Sequence, residues 1–203
     1  MPRTAADPDA LRARAIEVAR ELMVEGGPDA VKARAVAQAL GVSVGTIYNL
    51  FGQLGALVRT LNAQVYDELY AAVTAGRREA ADGGADAAGQ MVALSGAYLR
   101  FVADNAELWG GVLAFNRASR EAPPAWYRQK ELALLGVIAE TIAGLPGAED
   151  EARRAIATRA LWAAVHGIVT ISVARGGLLV PEDEVRAQME LVVRAVAAQL
   201  AAG

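Results

Sequence analysis

An all-α fold is predicted by three observations. The chain of 203 residues is rich in Ala, Leu and Val and only 5% aromatic. No stretch alternates apolar and polar residues with the period of two that marks a half-buried strand. Apolar residues recur instead at three- and four-residue steps, in runs separated by Gly- and Pro-bearing breaks.

The first run opens at Asp7-Pro8, an N-cap followed by a proline at the first helical position. Leu11, Ala15, Ala19, Leu22 and Met23 form one face, and Gly26-Gly27-Pro28 ends the helix. The stretch 35–51, AVAQALGVSVGTIYNLF, then reads as two short helices joined by a tight turn. Ala35, Val36, Ala37 and Leu40 supply an apolar stripe, and Gly41 provides the positive φ of a sharp turn. Val42 plugs the angle between the helices and Ser43 caps the second one. Ile47 and Phe51, four apart, face inward, which leaves Val44, Gly45, Thr46, Tyr48 and Asn49 outside. A longer helix begins near Gln53, with Leu57, Leu61, Val65, Leu69 and Val73 at four-residue steps, and runs out in Asp82-Gly83-Gly84.

A second region starts near Asp86. Met91, Leu94, Tyr98, Leu99 and Val102 mark one helix, and 108–116 a shorter one. Pro123-Pro124 breaks the chain, 126–142 resumes it, and 144–147 is a loop. The next helix covers 149–174 and stops at Gly176-Gly177. Pro181 opens the last helix, whose stripe is Val185, Met189, Val192, Val196 and Leu200, with Leu191 and Val193 outside it. The part 160–174 is apolar nearly all round but too short to cross a bilayer, and Arg159 and Arg175 bound it. A helix apolar on every side requires cover on every side, which points to a partner chain.

Composition narrows the function. There is no Cys and one His, which excludes disulfides, thiol chemistry and a multi-histidine metal site. The net charge of −3 divides unevenly, +1 over residues 1–60 and −4 over the rest, the sign expected of a DNA-reading head on an acidic body. No apolar signal segment opens the chain, so a cytoplasmic protein with no membrane span is expected.

With its flanks, the run from Leu11 to Val58 resembles the DNA-binding domain of the TetR family of bacterial transcription regulators. The resemblance rests on Ala19, Leu22, Met23, Glu25 and Gly27 in the first helix, then Gly41-Val42-Ser43, Gly45-Thr46-Ile47-Tyr48 and Phe51, then Ala56-Leu57-Val58. It implies nine helices: a three-helix helix-turn-helix head, 1–55, and a helical ligand-binding and dimerisation body, 56–203. In such proteins the fourth helix joins head to body and the last two helices of each subunit pair into a homodimer.

On the outer face of the recognition helix, Gly45 admits the backbone close to a duplex and Val44 lies beside it. Thr46 suits a phosphate or a thymine methyl, Tyr48 a phosphate, and Asn49 an adenine edge or a phosphate. Ser43 caps while neighbouring N–H groups face a phosphate. Arg34 matches a family position used on the DNA backbone or minor groove. Two positions depart from the pattern. Lys32 stands where Thr or Ser usually caps the second helix, and Gln53-Leu54-Gly55 stands where a Lys usually contacts phosphate.

In the body, Trp162, His166 and Gly167 resemble the W-x-x-x-H-G signature of one group of TetR-like C-terminal domains. Gly167 in a helix interior costs about 1 kcal/mol against Ala, which suggests close helix approach there. His166 either lines an effector pocket, giving or taking one hydrogen bond, or is a satisfied core histidine. Trp109, Leu113, Phe115, Trp126 and Tyr127, with Tyr98 and Trp162, either wall a cavity for an apolar ligand or are ordinary core. The expectation is a homodimeric repressor on a palindromic operator in double-stranded DNA, released by a small, mainly apolar effector, with no cofactor or metal. The alternative is a ligand-independent regulator or an activator of the same fold. An enzyme is disfavoured, since there is no Cys and His166 has no adjacent Asp or Glu.

Overall fold

The computed structural model describes residues 7–174 and 177–202. Arg175 and Gly176, expected to bound and stop the eighth helix, lie outside the described residues, as does Arg3. Nine α-helices are present among the described residues, and they divide between two compact units. The first unit is Met1–Val65 with Glu107–Pro123; the second is Tyr66–Ala106 with Pro124–Gly203.

In the first unit, α1 (Pro8–Gly26) begins where Asp7 accepts a hydrogen bond from the Asp9 amide at 3.0 Å. It buries Ala15, Ile16, Val18, Ala19 and Met23. Leu11 and Leu22 are half-exposed, and Ile16 and Val18 take the inner places instead. After a short 3-10 turn, Pro28–Ala30, come α2 (Ala33–Leu40) and α3 (Val44–Phe51). Gly41 takes the left-handed conformation, φ 66°, while the Val42 amide reaches back to Ala37 at 3.0 Å and closes the end of α2. Ile47 and Phe51 are buried, with the Arg12 guanidinium 5.0 Å above the Phe51 ring. The long α4 (Leu54–Asp82) is one helix that starts in this unit and continues into the second.

Compactness places the break inside α4 and gives α6 (Ala106–Ala118) to the first unit. Side chains explain this. Gly111 of α6 leaves the space that the Met23 thioether fills, and the Arg59 guanidinium lies 5.5 Å from the Phe115 ring.

The second unit holds the rest of α4 with α5 (Ala87–Asp104), α7 (Ala125–Ile142), α8 (Glu151–Ser172) and α9 (Glu182–Ala201). Asp86 and Asp150 cap α5 and α8 through bonds of 2.8 Å to the Gly89 and Arg153 amides. α8 stops at Ser172, two residues earlier than the sequence suggests. Val173 turns extended, and Val173–Ala174 pairs antiparallel with Gly177–Leu178 in a two-residue ladder. On α9, Val193 is buried rather than outside the stripe, while Val192 and Val196 are half-exposed.

Candidate DNA-reading surface and effector cavity

The recognition surface begins with a cap. Ser43 Oγ accepts the Thr46 amide at 3.1 Å and lies 2.9 Å from the Thr46 hydroxyl. That pair fixes the first turn of α3, so the residues after it leave the helix at set angles. Ser43, Val44, Gly45, Tyr48 and Asn49 are exposed; Thr46 is half-buried. Lys32 stands at the N-cap position of α2 and makes no capping bond, as its chemistry requires. Lys32, Arg34 and Gln53 are all exposed. The sequence carries one further signal. Between Asp29 and Asp67 there is no carboxylate, so nothing in that span repels a phosphate backbone.

The second unit contains an apolar cavity of about 20 Å³, room for one water-sized body. Leu69 and Val73 of α4 face Leu134 and Ile138 of α7 across it. Leu94 and Tyr98 of α5 and Leu161, Trp162 and Val165 of α8 complete the wall.

His166 is not on that wall. The Tyr98 hydroxyl and His166 Nδ1 are hydrogen-bonded at 2.7 Å, and Nε2 lies 3.5 Å from the Thr170 hydroxyl. Trp162 stacks on the imidazole at 5.1 Å and 21°. Burial pushes the His166 pKa below its ordinary value, so the ring is neutral at pH 7. This arrangement turns the polar atoms of Tyr98 and His166 toward each other and away from the cavity. The pair therefore satisfies itself, and the wall it leaves behind is hydrocarbon and aromatic ring.

The other aromatic rings lie away from this cavity. Trp109, Leu113 and Phe115 sit on α6 in the first unit, with Trp109 buried there, and none lines the cavity. Trp126 is 46% exposed, its ring edge-on to Tyr127, and does not line it either. Tyr127 is buried against Tyr66 at 5.6 Å. Helical spacing alone grouped these rings, whereas α6 belongs to the first unit and α5 and α7 to the second. The wall residues that went unnoticed as a site, Leu69, Val73 and Leu94 among them, are indistinguishable in sequence from core positions on the same stripes.

Residues 15–60 match the model of the bacterial regulatory proteins of the tetR family. Residues 91–196, more than half of the chain, match that of the tetracyclin repressor-like C-terminal domain. The chain belongs to the TetR family. TetR-family transcription regulators are also its structural neighbours. One from Streptomyces coelicolor is 20% identical with a TM-score of 0.70, covering 96% of this chain and 83% of its own. A transcriptional regulator from Pseudomonas aeruginosa PAO1 is 19% identical with a TM-score of 0.70, covering 98% and 94%. EbrR, a multidrug binding protein solved with imidazole, is 21% identical with a TM-score of 0.65, covering 91% and 93%. No curated protein matches. Among the described residues, Glu151–Ser172 is long and apolar enough to cross a membrane, longer than the core at 160–174. Only a third of its apolar stretch is buried within this chain.

Proposed function

We propose that this TetR-family chain is a homodimeric repressor that binds a palindromic DNA operator in the cytoplasm and is released by a small, uncharged, mainly apolar effector. The observation that carries the DNA role is the capped α3 with Val44, Gly45, Tyr48 and Asn49 outermost, in a span free of carboxylates. Lys32, Arg34 and Gln53 flank it as phosphate contacts, and Thr46 holds the turn.

Dimerisation is supported by α8 and α9. Ile156, Ile171 and Leu191 are 63%, 76% and 71% exposed, and Ala160, Ala163 and Ala195 lie exposed on the same helices. A Cβ added at Gly167 meets nothing within 4 Å, so the close approach its sequence suggests is left for a second copy. Two helices per chain can supply the roughly 1,200–2,000 Å² a stable interface buries. Such a dimer sets two recognition helices in successive major grooves, about 34–36 Å apart. A coupling of about 1–3 kcal/mol between effector and operator suffices for release.

The test is a mobility shift of DNA from upstream of the protein's own gene at low salt, with the particle mass measured in parallel. No shift, or a monomer, overturns the reading. The small cavity favours a second reading, a regulator of the same fold that needs no effector. Titrating apolar compounds into the protein–DNA complex separates the two, since only a repressor of the first kind lets go.

A further inference from the structure

The cavity can take an organic molecule only if a wall moves. Close backbone packing in the second unit joins α8 to α9, α7 to α8, α5 to α9 and α5 to α7. α4 belongs to none of these pairs; its close approach is to α5, where a Cβ added at Gly76 would meet Ala97 at 2.9 Å and the Ala93 carbonyl at 3.4 Å, while Leu69 and Val73 form one wall of the cavity. It is joined to α7 by side chains at both ends of that wall. Before Leu69, the Tyr66 hydroxyl donates to Glu131 at 2.9 Å, and Lys130 Nζ bonds both Asp67 oxygens at 2.6 and 2.8 Å. Beyond Val73, Arg77 lies 3.6 Å from Glu140. Between these ties Leu69 and Val73 face Leu134 and Ile138 across the cavity, and the Tyr66 ring lies edge-on to Tyr127 at 5.6 Å.

One more feature marks α4 here. Thr74 Oγ1 is buried with no hydrogen-bond partner. A helical Thr ordinarily returns its hydroxyl to the carbonyl four residues back, as Thr60 and Thr141 do at 2.9 and 2.7 Å. This part of α4 therefore holds an unmade hydrogen bond in the closed arrangement.

We propose that the seam between α4 and α7 is the doorway of the cavity, and that Asp67–Lys130 and Arg77–Glu140 are its latch. The proposal rests on the cavity being the effector site. Both pairs keep an exposed carboxylate, and ion pairs open to solvent are weak and weakened further by salt. The seam is held by side-chain ties, while α4 keeps its close backbone approach to α5, and an uncharged apolar molecule passes between four aliphatic side chains once the ties release.

Stopped-flow uptake of N-phenyl-1-naphthylamine, a neutral apolar dye, tests this on the full chain. Lys130→Ala and Glu140→Ala should each speed uptake roughly two- to five-fold, the range set by one exposed ion pair. The swap Asp67→Lys with Lys130→Asp should restore the original rate. Added NaCl should speed the native protein but not the doubly unlatched variant. The chain has no Cys. Asp67→Cys with Lys130→Cys, joined by a short bis-maleimide, should therefore stop uptake while the unjoined variant still takes the dye. Dye that binds normally but at one rate in every variant overturns the doorway and leaves the effector reading standing. Dye that binds no variant at equilibrium overturns both.

Discussion

Gly147 offers the sharpest test of the second unit, because Gly41 provides its control. Both glycines have positive φ, 78° and 66°. A non-glycine residue in the left-handed region costs about 1–2 kcal/mol. Gly→Ala returns roughly 0.4–1 kcal/mol by restricting the unfolded chain. At Gly41 that is the whole account, since an added Cβ meets nothing within 4 Å. Gly41→Ala should therefore cost about 1 kcal/mol or less. At Gly147 the Cβ lands on the carbonyl oxygen of Leu200 and 2.6 Å from its carbon. These are backbone atoms in the last turn of α9, which Arg153 also holds through a 2.7 Å bond to the Gln199 carbonyl. They cannot rotate aside as a side chain would. Overpacking against such a neighbour adds about 1–3 kcal/mol, so Gly147→Ala should cost about three times as much as Gly41→Ala or more. Urea unfolding followed by tryptophan fluorescence measures both. Gly147→Asn separates the causes, since Asn tolerates the φ but keeps the clash, and it should fare no better than Ala. A Gly147→Ala midpoint equal to that of Gly41→Ala would refute the contact between the α7–α8 loop and the end of α9.

His166 binds its proton less readily in the folded state than when unfolded, so stability should fall as pH drops below about 6.5. The slope should flatten in His166→Gln, as read by melting across pH 5–8. Ser43→Ala removes the α3 cap and should cost about 0.5–2 kcal/mol, together with a loss of operator affinity measurable by anisotropy. Ile156→Asp with Leu191→Asp should give a folded monomer by sedimentation with unchanged helical content. A dimer persisting there sinks the α8–α9 interface.

The head was legible because its signals are local. Asp7-Pro8, Gly41 and Ser43 act on backbone groups within four residues, so sequence spacing fixes their geometry. The stripes of α1 and α4 were legible for the same reason, though Ile16 and Val18 replaced Leu11 and Leu22 once neighbours were present. Trp162 and His166 were correctly set on one face, since residues four apart on a helix must be neighbours. What spacing does not carry is which helix lies opposite. Tyr98 meets His166 from 68 residues away. Trp109 and Phe115, on α6, belong to a different unit from the Trp162 they were expected to join. Ala174, expected to end the eighth helix, pairs instead in a short ladder.

α8 shows why composition misleads where geometry does not. A hydropathy average counts Leu161, Trp162 and Val165 together with Ile156, Ala160, Ala163 and Ile171, and the sum resembles a membrane segment. The two sets point in different directions. The first lines the cavity. The second is exposed, and its small members allow another helix to come near. A lipid-facing helix would have no reason to place its aromatic and imidazole rings in one stacked group bonded to Tyr98. In the proposed dimer α8 has two apolar faces with separate tasks, Leu161, Trp162 and Val165 turned to the cavity and Ile156, Ala160, Ala163 and Ile171 left to the second copy. On that argument, enlarging an outer residue, Ala163→Phe, should weaken the dimer and leave dye binding intact. Enlarging an inner one, Val165→Phe, should do the reverse.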